Sequence, residues 1–296
     1  MKNFFPEGGF TRQIDEKIDK ERLIEPALKK AEVLLKKYGI KEDNFRDMYG
    51  NDVVDEDLIE VARREQLVYQ EKNENIIENN KLSDIFNAIA LEQFEKNNWM
   101  GQNAFTVGTS KSDKFKTGIG NITEFHEEKG ISYMAMAVRM TFSPNLKDKL
   151  VKIKENIQKG ELSRIKYFES DLHRGELKKV PSVIVGCNRE MLFDAIEVWL
   201  GNKNEVLAKH PLQFLILDQV KEEIDSFKKE ASSCGKYELI EIYENIENNI
   251  REVIEEKREL RRDLENPKTG NSLSFKENND KVMLSLKQEL KNVFGK

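Results

Sequence analysis

Two stretches decide the fold class: Tyr133-Met134-Ala135-Met136-Ala137-Val138-Arg139-Met140-Thr141 and Val180-Pro181-Ser182-Val183-Ile184-Val185-Gly186-Cys187. The first alternates. On an extended chain Met134, Met136, Val138 and Met140 share one face, while Ala137, Arg139 and Thr141 share the other. The second is a nearly continuous apolar run, which suits a strand buried on both faces of a sheet. Between them the apolar spacing predicts a helix over 146–159, stopped by Gly160, and a further helix follows at once over 189–200. Strands interleaved with helices make an α/β layer.

Working outward, 104–109 and 121–126 are two more β-like runs, and the third strand extends over 131–142, closed by Pro144. Before them Ser83 is placed to cap a helix through Glu95, with Ile85, Ile89 and Phe94 on its apolar face. The N-terminal part reads as two helical stretches, 11–38 and 52–79, and the Asn-rich run 73–80 predicts a boundary. Beyond the centre come a helix over 211–231, a hinge at Ser232-Ser233-Cys234-Gly235, a long charged helix over 237–265 and a last helix over 280–294. The expected architecture is α/β: a central mixed sheet with flanking helices over 81–220, an N-terminal helical region over 1–80, and a C-terminal long helix and tail over 221–296. Leu239, Ile242, Ile246, Ile250, Val253, Leu260 and Leu264 form one stripe of the long helix. The spacing drifts from a strict heptad and Lys257 falls near the seam, which favours packing on its own domain over a coiled coil. Self-association or a protein partner through this helix is the alternative.

Composition bounds the function classes. Charged residues make up 35% of the 296 and apolar ones 38%, and the 16 phenylalanines supply a core that a disordered chain lacks. The net charge of −5 gives no global basic surplus, so nucleic-acid binding requires a local patch. Lys116, Lys149 and Lys152 are the candidates for one. Cys187 and Cys234 lack close partners or metal-ligand spacing, which fits a reducing compartment. The first residues carry no signal-peptide pattern and no stretch is apolar enough to span a bilayer, so a cytoplasmic location is expected. The three histidines are far apart, and neither a phosphate-binding glycine loop nor Gly-x-Ser-x-Gly occurs. Asp113, within Ser110-Lys111-Ser112-Asp113-Lys114, reads as part of a polar surface loop.

The succession of helix, three strands, helix and strand over 83–187 resembles the core of the restriction-endonuclease-like PD-(D/E)XK nucleases. Glu92 lies on the first helix, with Trp99 just after it. Gly118-Ile119-Gly120-Asn121-Ile122 enters the second strand where that family has an aspartate, and Arg139 and Thr141 stand on the third strand where it has Glu-x-Lys. The resemblance implies a site that binds Mg²⁺ through carboxylates, with the metal polarising phosphate and helping to generate hydroxide. This chain departs from the motif. Asn121 lacks the aspartate's charge, Arg139 reverses the glutamate's sign, and Thr141 cannot replace the lysine. Glu124 is three residues from Asn121 and points the opposite way unless a bulge turns it. The resemblance with these departures implies a catalytically degenerate nuclease-like protein acting in binding or regulation, with no resident metal. The alternatives are an Mg²⁺-dependent nuclease using displaced ligands such as Glu92 and Glu124, and an assembly protein acting through its helical arms.

Overall fold

The computed structural model describes residues 21–127, 130–140, 146–265 and 281–295. The chain opens with α1 (Ile24–Tyr38), a 3₁₀ turn (Glu42–Phe45), α2 (Arg46–Tyr49), α3 (Asn51–Tyr69) and α4 (Glu74–Asn97). Then come β1 (Ala104–Gly108), α5 (Lys111–Thr117), β2 (Asn121–Glu127), β3 (Gly130–Met140) and α6 (Leu146–Lys159). A hairpin follows, β4 (Ser163–Glu169) with β5 (Arg174–Val180), and then β6 (Ser182–Cys187). The remainder is helical: α7 (Arg189–Leu200), α8 (Asn204–Leu207), α9 (Leu212–Ser233), α10 (Tyr237–Glu256), α11 (Arg258–Glu265) and α12 (Lys281–Phe294).

β1, β2 and β3 pair antiparallel in sequence order, and β6 joins β3 in parallel. α4 lies on one face. Its start corrects the expected boundary: Asn73 caps the helix through the amides of Asn75 and Ile76, so the Asn-rich run 73–80 is helical and Ser83 lies inside it. The divisions expected at 80/81 and 220/221 both fall within helices, α4 and α9. One apolar core runs through all three expected regions. It draws on Ala27 and Leu34 of α1, Ile85 and Phe94 of α4, Val183 and Val185 of β6, Leu215 and Ile224 of α9, Ile246 of α10 and Leu286 of α12. The helical ends are therefore parts of the central body, because their apolar stripes are what complete its core.

The long C-terminal helix is broken at Lys257, and its apolar stripe packs on its own domain, the expectation favoured over a partner surface. Leu239, Ile246, Ile250, Val253 and Leu264 are all buried. Arg261 fastens α11 to α9 by a bidentate pair with Asp218, at 2.8 and 2.9 Å. No helix among the described residues is long and apolar enough to cross a membrane.

Both outer edges of the sheet are capped, β6 by side chains and β1 by one side chain and the backbone amide of Ile40, which is how an edge strand is kept from pairing with another chain. On β6, Gln219 of α9 accepts from the Gly186 amide at 2.8 Å and donates to its carbonyl at 2.7 Å. One turn later Glu223 accepts from the Ile184 amide at 2.9 Å. On β1, Glu95 accepts from the Thr106 amide, and the Gly108 carbonyl accepts from Ile40.

The β4–β5 hairpin is a feature the sequence pattern did not announce. It forms its own two-stranded sheet and, through Ile122 and Glu124, packs on the face of β2 opposite α4. In a small cluster its own Ile165, Phe168, Leu177 and Val180 pack on Ile119 and Ile122. Phe45, Val54 and Tyr167 make a second cluster that joins the hairpin to the 3₁₀ turn and α3.

Candidate functional site

The start of β2 is where the chemistry was expected. α5 ends at Gly118, whose φ of +75° is a left-handed cap suited to glycine. Gly120 then passes so close to α4 that an added Cβ would stand 2.3 Å from Asn87 Oδ1. This close approach joins two side chains. Asn121 Nδ2 donates to Asn87 Oδ1 at 3.1 Å, and Asn87 Nδ2 donates to the Gly120 carbonyl at 3.5 Å. Asn121 is fully buried and Asn87 nearly so. Asn121 Oδ1 has no hydrogen-bond partner among the described residues.

The register separates the other expected members. Asn121 stands opposite Met136, and Thr123 opposite Met134, without a bulge anywhere between β2 and β3. Directly paired residues share a face, so positions 134, 136 and 138 lie on Asn121's side of the sheet. Position 139 is on the other side. Grouping Asn121 with Arg139 is therefore corrected by strand alternation, and Thr141 lies outside the described residues. No bulge brings Glu124 round either, since the pairing runs evenly from Asn121 to Glu127.

Glu92 is also elsewhere. It lies five residues along α4 from Asn87, turned toward α7, where it accepts from Trp199 Nε1 and pairs with Lys96 at 2.6 Å. Burial pushes its carboxyl up, but these bonds hold it below the ordinary carboxylate value. Glu92 thus pins α4 to α7, beside Lys30, which donates to the Trp199 carbonyl and lies over its ring.

Glu124 occupies the opposite face, 3% exposed. It pairs with His126 Nε2, accepts from Ser170 Oγ at 2.8 Å and is hydrogen-bonded to Tyr133. Burial, and then the Glu124 charge, push the Tyr133 phenol up. His173 lies beside Tyr133 and Phe168, so two of the three histidines converge here although their sequence spacing gave no sign of it. Among the described residues no group of three His, Cys, Asp or Glu is placed to hold a metal ion.

The three candidate lysines stand on two helices, α5 and α6. Lys116 pairs with Asp57 of α3 at 2.5 Å. Lys149 and Lys152 stand on α6, half-buried and exposed respectively, and α6 is tied to α9 and α12 through Gln158 with Glu230 and Lys154 with the Val293 carbonyl.

Asp113 requires a correction. It is buried, at 3% exposure, within α5 rather than on a surface loop. Its two carboxylate oxygens accept the amides of Lys166 and Tyr167, each at 3.0 Å, and Ser110 Oγ donates to it at 2.9 Å. Burial pushes its carboxyl up against the lowering effect of these bonds. The pattern Ser110-x-x-Asp113 is a helix-start signature, and it was the available signal that this stretch is ordered. Asn87 had no such signal, because one amide amid apolar residues is identified as part of a site only by its partner.

Away from Asn121, a cleft of about 630 Å³ separates the α4–β1 connection from α10, lined in part by Asn103, His126, Asn249 and Glu252. Compared with known proteins, the chain matches no family model, no curated protein and no solved structure.

Proposed function

We propose that this chain is a binding or regulatory protein built on a restriction-endonuclease-like core that does not cut nucleic acid. Along the main sheet α4, β1 to β3, α6 and β6 follow in the order that supports that core, with α5 inserted before β2 and the β4–β5 hairpin before β6, and the parallel pairing of β6 beside three antiparallel strands makes a mixed sheet. The carrying observation is the buried Asn87–Asn121 pair, whose Asn121 stands where the resemblance implies a metal-binding aspartate. Mg²⁺ favours charged oxygen ligands and keeps part of its hydration shell. A neutral amide pair sealed from solvent, with positions 134, 136 and 138 of its face apolar, does not fit that ion. The displaced-ligand alternative requires Glu92 and Glu124 to converge. One is bonded on the α7 side and the other lies beneath the hairpin.

The test is a cleavage assay of the full chain on supercoiled plasmid, single-stranded DNA and RNA with Mg²⁺ or Mn²⁺. Nucleic-acid binding is followed in parallel by fluorescence anisotropy. The expected result is no cleavage with either metal, whether or not binding is seen. Cleavage that disappears in Asn121→Ala or in Glu124→Gln would overturn the proposal.

A further inference from the structure

We propose that the β4–β5 hairpin is a lid over the Glu124 face of the sheet, hinged at both ends and held shut chiefly by carboxylates of the elements around it. Its two strands pair only with each other. At one end stands Gly160, with a φ of +81°. At the other is Lys179, a non-glycine residue at +58°, followed after Val180 by Pro181. Left-handed backbone at a non-glycine residue persists only where surrounding structure enforces it, and such positions cluster at switch regions.

The hairpin's apolar seat is two small clusters, to which the rest of the chain contributes the buried residues Ile119 and Ile122 in one and Phe45 and Val54 in the other, whereas β6 and α9 stand in the large common core. Polar ties supply the rest: beside Tyr49 donating to the Lys166 carbonyl, Ser163 donating to Ser182 and Lys179 pairing with Glu238, four acids hold the hairpin. Asp113 holds the amides of Lys166 and Tyr167. Asp57 of α3 takes the Lys166 ammonium at 2.6 Å and the Tyr167 hydroxyl at 2.7 Å. Asp47 of α2 pairs with Arg174 at 2.7 Å, and Glu124 of β2 accepts from Ser170 at the turn. A segment with few buried apolar contacts opens at lower free energy than the core it rests on. Opening here uncovers Glu124 and Tyr133 together, beside the partly exposed His126, as a polar surface that the closed form shields. The inference does not depend on whether the core descends from a nuclease.

Native-state hydrogen exchange on the full chain tests it. The amides of Lys166, Tyr167 and Leu177 are expected to exchange through an opening that leaves Val183, Val185 and α9 protected. Raising the salt concentration is expected to increase that opening, since it screens the ionic ties and does not weaken apolar docking. Asp113→Asn, which replaces charge-assisted acceptors by a neutral one, is expected to raise it by about tenfold. Hairpin amides that exchange only together with β6 and α9, and that do not respond to salt, would overturn the lid. The salt series on the unmodified chain decides the matter even if the variant does not fold.

Discussion

Asn121 and Glu124 stand three residues apart on β2 and both are almost completely buried, yet their surroundings differ in kind. Asn121 lies under α4 as half of a neutral amide pair with one oxygen left over. Glu124 lies under the hairpin as a carboxylate that engages His126, Ser170 and Tyr133. The difference follows from what covers each face. α4 is rooted in the large apolar core, where a charge would meet few donors, and burying an unpaired charge costs several kcal/mol. The hairpin rests on a small cluster and brings its own hydroxyl and backbone donors, so a carboxylate there is solvated by protein. The face that carries Asn121 is thus the less able of the two to hold an ion.

The largest effect expected from breaking this contrast comes from Asn121→Asp. A carboxylate in place of the amide faces Asn87 Oδ1 and core, and is expected to destabilise the protein by about 3 kcal/mol or more at pH 7. The sign of its pH dependence is fixed. Burial raises the folded-state pKa of the new acid above its unfolded value near 4, so the loss grows as pH rises from about 4 toward neutrality. Urea unfolding at pH 4.5 and pH 7 measures it. A cost below about 1 kcal/mol at both pH values, or full restoration of stability by millimolar Mg²⁺, would mean that this face still accepts charge.

The periodicities of the core strands and of α7, α9 and α12 were readable because alternation and the 3.6-residue repeat report burial directly. The hairpin was not readable. Arg164, Lys166, Lys178 and Lys179 crowd its strands, and its outward positions are occupied by charges that pair with α3, with neighbouring β-residues and with Glu238. Such strands carry little apolar alternation of their own. Asn121 could be picked out from its place at a strand entry, but its partner could not. Glu92 and Asn87 differ by five positions on one helix, and only the docking of Gly120 against Asn87 decides which of them meets β2. Face membership of 139 relative to 121 depends on hairpin register, which the spacing of two strands does not give.

Gly120→Ala sharpens the same point at smaller scale. The new methyl must displace Asn87, which is buried and has little room to move, and the expected loss is about 1–3 kcal/mol. Chemical denaturation reports it. If Asn87→Ala introduced together with Gly120→Ala gives back none of the loss, the amide pair is not what the glycine accommodates. On the other face, Glu124→Gln keeps the shape but leaves His126 and Ser170 with a neutral partner. About 1–2 kcal/mol is expected, from the weakening of charge-assisted bonds. A loss as large as that of Asn121→Asp would erase the asymmetry between the faces.

Glu223 supplies the smallest effect and a check on the cause. It is an acid in the same large core that excludes charge at Asn121, fully buried, and burial pushes its carboxyl well above the ordinary value, opposed only by the bond from the Ile184 amide. If that core tolerates the residue, it does so in the protonated form. The unfolded chain releases this proton near pH 4.3, and the folded chain keeps it until its higher pKa is reached. Between those values the unfolded state binds fewer protons, so this group's contribution to stability is greatest in acid and declines as pH rises. Glu223→Gln keeps an acceptor for Ile184 and has nothing to ionise. It is expected to match the parent protein within about 1 kcal/mol near pH 4 and to gain on it steadily toward pH 8. Melting curves of the two proteins at pH 4, 6 and 8 measure the gap. A gap that stays constant or narrows would show that Glu223 is held as an anion, and would remove charge exclusion as the reason Asn121 is neutral.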